Sequence, residues 1–112
     1  DPEQDEATIA KSLLDHVDLT RKSPGGPWVM RMLRAVPQLA DVRLSSHRAL
    51  AEALVERALA LDPQKDRASL ERRARLAVDL GYAAIELVFD EPELDSEKVM
   101  ADAARAIRAL MA

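Results

Sequence analysis

The stretch RARLAVDLGYAAIELVF, residues 73–89, decides how this chain folds. It is apolar at helical spacing and free of proline, yet Gly81 stands near its middle, where glycine costs about 1 kcal/mol relative to alanine. At 100° per residue Leu70, Ala74, Ala77, Gly81, Ala84 and Val88 fall in one line. Leu76, Leu80, Ala83 and Leu87 lie beside that line, and Val78 and Ile85 occupy the other flank. The resulting arc is much wider than the roughly 100° stripe of an ordinary surface helix, so this helix must bury two sides. Arg72, Arg75, Asp79 and Glu86, with Tyr82 among them, lie opposite and are expected to face water.

Working outward, four more helices follow from periodicity and punctuation. The first spans about Glu3 to Arg21 and ends at Ser23-Pro-Gly-Gly-Pro27, a strong helix breaker. A short apolar segment, Trp28 to Val36, stops before Pro37. A long amphipathic helix runs from about Gln38 to Leu61, with Leu50, Leu54, Ala58 and Leu61 on its stripe, and Asp62-Pro63 closes it. The helix that carries Gly81 covers about Asp66 to Phe89. The last begins after Asp95, a capping residue, with Leu94 and Val99 at hydrophobic-staple positions, and continues to the C-terminus. At 112 residues, with no linker and no repeat, the chain reads as a single all-α domain over 1–112: about five helices in an antiparallel bundle. Alanine and leucine dominate, and glycine, proline and aromatic residues are scarce, which agrees.

The small residues Ala74, Ala77, Gly81 and Ala84 form a shallow groove that lets another helix approach closely, and the dispersion attraction of that close packing offsets the glycine cost. The last helix has a similar face in Val99, Ala103, Ile107 and Leu110. Two such helices from each of two chains would form a four-helix homodimer interface. The alternative is that Gly81 relieves crowding inside a monomeric bundle.

Composition excludes several functions. A formal charge of −4 is the wrong sign for a nucleic-acid surface, and the Arg67, Arg72, Arg73 and Arg75 cluster is interleaved with Asp66, Glu71 and Asp79 as a solvated, salt-bridged face would be. There is no thiol, no nucleophile elbow and no glycine-rich phosphate loop, and two histidines at no ligand spacing do not make a metal site. No enzyme activity and no cofactor are expected. The lack of cysteine suits a reducing compartment, and no apolar run approaches the roughly 20 residues that cross a bilayer. A cytoplasmic chain with no membrane partner is expected, and without an initiator methionine it reads as a fragment or a processed product.

Both histidines lie on or beside apolar faces. His47 sits near Leu44, Leu50 and Leu54 with Arg43 one turn earlier, and His16 flanks Ile9, Leu13 and Val17. Two readings are open. Each histidine is a core residue bonded to a carbonyl or carboxylate, or they point into a cavity beside Trp28, Met30, Met32 and Leu33, where few polar groups orient a mostly apolar ligand. The second reading assigns a ligand pocket to His16, Val17, Trp28, Met32, Leu33, Arg43, His47 and Leu50.

The order of elements resembles the C-terminal domain of tetracycline-repressor-type transcriptional regulators. A helix, a short apolar helix stopped by proline, a long helix opening with Pro37-Gln38-Leu39 and two final helices ending in Ala106-Ile-Arg-Ala-Leu-Met-Ala112 carry the resemblance over nearly the whole chain. It implies a dimer bundle built from the last two helices, a small-molecule effector pocket among the earlier ones, and DNA binding through an N-terminal helix-turn-helix that this chain does not contain. A small helical protein-interaction module is the alternative.

Overall fold

The computed structural model describes residues 2–112, with side chains from Glu3 onward. Among the described residues five helices follow one another: α1 (Pro2–Lys22), α2 (Gly26–Ala35), α3 (Ala40–Leu61), α4 (Arg67–Asp90) and α5 (Ser96–Met111), with one 3-10 turn at Pro37–Leu39. No strand occurs among the described residues. The fold is all-α.

Each boundary has a local cause. Asp66 accepts from Ser69 N at 3.1 Å and starts α4; Asp95 accepts from Glu97 N at 3.1 Å and Lys98 N at 3.2 Å and starts α5. The α1–α2 corner uses Gly25 in the left-handed region at φ 68°, and a Cβ on Gly26 would collide with the Thr20 carbonyl. The last carbonyls of α5 are met by cations: Lys65 Nζ donates to Met111 O at 3.2 Å, and Arg73 Nη1 donates to Leu110 O at 3.2 Å. Replacing Asp95 with alanine leaves those two amides of α5 to water. The expected loss is about 1 kcal/mol, or roughly 5 °C in the thermal midpoint followed by circular dichroism.

α4 and α5 form an antiparallel hairpin; α1 packs chiefly on α5, and α3 on α4. The molecule measures 43 × 33 × 17 Å, and the short dimension fits two helix layers with axes about 8–10 Å apart. The core lies between the layers in two parts. One joins Val17 of α1 to Ala84, Ile85 and Val88 of α4 and Met100 and Ala103 of α5; the other joins Ala51 and Val55 of α3 to Leu70, Ala74 and Val78 of α4. Arg108 Nε of α5 pairs with Glu6 Oε1 of α1 at 2.6 Å and pins the start of α1 to the end of α5.

This packing corrects the assignment of faces on α4. Leu70, Ala74, Ala77, Gly81, Ala84 and Val88 are buried within the chain, as are Ala103 and Ile107 of α5, so these eight residues have no surface left for a second copy. A Cβ on Gly81 would stand 3.3 Å from Leu13 Cδ2 and 3.8 Å from Ile107 Cδ1, so the close approach that glycine permits is made by α1 and α5 of the same chain. The charged flank is covered only in part: Arg34 Nε of α2 pairs with Glu86 Oε1 at 2.9 Å, and Asp79 and Tyr82 meet α3, while Arg72 faces water as expected. Leu76 is instead 58% exposed and Leu87 42% exposed.

Candidate functional site

α3 buries His47, Ala51 and Val55 against α4, a line displaced from the expected one: Leu50 is 47% exposed and Leu61 projects into solvent. His47 is fully enclosed. Its Nδ1 lies 2.8 Å from Asp79 Oδ1, and its ring stacks on Tyr82 with centroids 4.3 Å apart. The other face of the arrangement comes from α1, where His16 meets Tyr82 edge-on at 5.6 Å. Tyr82 therefore stands between the two histidines and ties both covering helices to the hairpin. Arg75 Nη1 lies 3.4 Å from Asp79 Oδ1, and Arg43 Nε is buried with no hydrogen-bond partner among the described residues.

Burial holds His47 below the ordinary histidine value of 6.5; the Asp79 hydrogen bond and charge oppose that shift, and Arg75 and Arg43 add to it. A folded state that resists taking up a proton loses stability in acid. The His47 contribution is complete above about pH 6.5, where both states are neutral, and is lost as pH falls from there through the lowered folded-state value. Urea midpoints measured across this window should decline with acid, and a His47→Gln chain should decline less. Equal slopes would show that His47 does not govern the acid response.

The expected pocket residues do not assemble into one cavity. His16 and His47 meet around Tyr82, and Val17 lies in the core, but Trp28 is 64% exposed and Met32 is 39% exposed on the outer side of α2. The reason is the orientation of α2: Met30 packs on the core, and Trp28, Val29 and Met32 lie on the side turned to solvent. Leu33 is half-buried and Leu50 faces outward. Among the described residues no group of three or more His, Cys, Asp or Glu side chains could hold a metal ion.

Two surface features go beyond what residue spacing indicates. The first is the outer face of the hairpin, where Leu76, Leu80, Ala83 and Leu87 recur along α4 at helical spacing; Ala106 is exposed on α5, with Val99 and Leu110 half-buried beside it. The spacing of the four α4 residues is visible in the sequence, but the side they occupy is not. The second is a groove of about 270 Å³ where α1 and α3 diverge over the end of α5, lined by Ile9, Leu54, Ala58 and Ile107 among others. The surplus width of the α3 apolar stripe is its only sequence signal. Among the described residues no helix is long and apolar enough to cross a membrane. Comparison with known proteins returns no matching family model, no matching curated protein and no matching solved structure.

Proposed function

We propose that this chain is the regulatory domain of a tetracycline-repressor-type transcriptional regulator, which homodimerises through the α4–α5 hairpin and senses a small, largely apolar effector. One observation carries the reading. The hairpin fills its inner face with α1 and α3, and α4 still presents Leu76 and Leu87 to solvent on its outer side, beside the exposed Ala106 of α5, so α4 is apolar on opposite sides. A patch of that kind on a pair of antiparallel helices is self-complementary under a two-fold axis and closes into a four-helix bundle. The dimer contact thus belongs to Leu76, Leu80, Ala83, Leu87, Val99, Ala106 and Leu110.

The effector acts through α1 and α3, which meet at Tyr82 and diverge away from it. A ligand that binds one spacing of these helices better than another shifts the population between them, and the dimer converts that shift into a changed separation of two DNA-reading heads. DNA binding belongs to a domain outside this chain. The test is the parent gene: a basic tri-helical segment encoded upstream, whose product with this domain retards its own promoter DNA in a gel shift, supports the proposal. A parent protein that lacks such a segment and does not bind DNA contradicts it.

A further inference from the structure

The groove between α1 and α3 has an uneven charge distribution. Its floor is Ile9, Leu54, Ala58 and Ile107, contributed by three helices, and its rim carries Arg57, Lys65 and Arg108 against Asp5. Arg108 is neutralised by Glu6, and Lys65 donates one hydrogen bond to the Met111 carbonyl while keeping its charge. Arg57 makes no hydrogen bond or ion pair among the described residues. An apolar trough beside a free guanidinium and an ammonium matches a ligand with an alkyl chain and one anionic head.

We propose that this groove binds a free medium-chain carboxylate, with the alkyl chain along Ile9, Leu54, Ala58 and Ile107 and the carboxylate at Arg57 and Lys65. The proposal rests on the reading of this domain as a sensor and names the class of its effector. The apolar stripe of α3 is wider than α4 can cover: His47, Ala51 and Val55 are buried against the hairpin, Leu54 and Ala58 stay half-buried at the edge of that cluster and line the groove, and Leu61 stands exposed at its mouth. An alkyl chain in that gap bridges α1 to α3. The two helices are already joined by the His16–Tyr82–His47 contact, so occupancy resists their separation at the far end.

The experiment is calorimetric titration of the chain with decanoate, decanol and decyltrimethylammonium below their aggregation concentrations, repeated on Arg57→Glu. Arg57 is exposed, so the variant should fold, which circular dichroism checks. The expected result is one decanoate per chain, weaker binding of decanol, weaker still of the cationic amphiphile, and about fivefold or greater loss for decanoate in Arg57→Glu. No saturable decanoate binding, equal binding of the three amphiphiles, or an unchanged affinity in Arg57→Glu would each overturn the assignment. Sedimentation of the same samples separates the two claims: a dimer that ignores decanoate overturns the groove ligand alone, and a monomer that binds it overturns the dimer and leaves the groove supported.

Discussion

A Gly81→Leu chain is expected to lose about 2 kcal/mol of stability, with its thermal midpoint about 10 °C lower. A Cβ alone would come within 3.3 Å of Leu13 Cδ2 and 3.8 Å of Ile107 Cδ1, so a leucine has to displace α1, α5 or both. Overpacking of this kind costs about 3 kcal/mol, and relief of the glycine helix penalty returns about 1 kcal/mol. Gly81→Ala is the control. Its methyl meets only the end of the Leu13 side chain at a tight distance, and the gain in helix propensity is of similar size, so its stability should stay within about 1 kcal/mol of the parent. The two variants together decide which side of α4 the glycine serves. If Gly81→Leu kept the parent midpoint and only separated the chains of a dimer, the line from Leu70 to Val88 would face a second molecule rather than α1 and α5 of the same chain.

The second large effect is on association. Leu76→Glu combined with Leu87→Glu places two carboxylates on the outer face of the hairpin, at side chains that are 58% and 42% exposed in the single chain. Folding should tolerate both. The proposed dimer should not, because each leucine forfeits about 1.5 kcal/mol or more of apolar burial and each glutamate brings a charge that must be desolvated. A loss of about 3 kcal/mol or more corresponds to a dissociation constant at least about 100-fold weaker. Size-exclusion chromatography across a dilution series, with circular dichroism to confirm that helix content is kept, measures it. Unchanged elution would move the dimer contact to another surface, and a loss of helix content would show that these leucines belong to the core.

The helices were legible because their ends are punctuated. Asp66 and Asp95 cap, Pro24 to Pro27 break, and Pro37 and Pro63 stop their segments, so the observed spans follow closely the boundaries drawn from period and composition. What α4 packs against was harder to read. A helical wheel gives the width of an apolar arc but not the azimuth of its neighbours, and here α1 and α3 cover one apolar flank and one charged flank, leaving the Leu76–Leu87 side open. The charged flank misled because its partners are remote in sequence: Asp79 is satisfied by His47 and Glu86 by Arg34, pairs that only the tertiary fold brings together.

His47 shows both sides of this. Its place among leucines marked it as buried, and its bond to a carboxylate is one of the two arrangements the sequence left open, but nothing local identified Asp79 as that carboxylate. Trp28 and Met32 show the reverse. Their apolar character points to a cavity, whereas α2 turns Met30 to the core and they stand outside. The groove beside Arg57 depends on how far α1 and α3 diverge, a property of helix crossing that residue spacing does not encode.

Sedimentation equilibrium on the unmodified chain tests the central claim most directly, since the regulatory-dimer reading requires the outer face of the α4–α5 hairpin to be covered by a second copy. The chain weighs 12.4 kDa, and the prediction is a species of twice that mass at micromolar concentration. A mass of 12.4 kDa that persists well above micromolar would leave the outer face without its partner and contradict that reading.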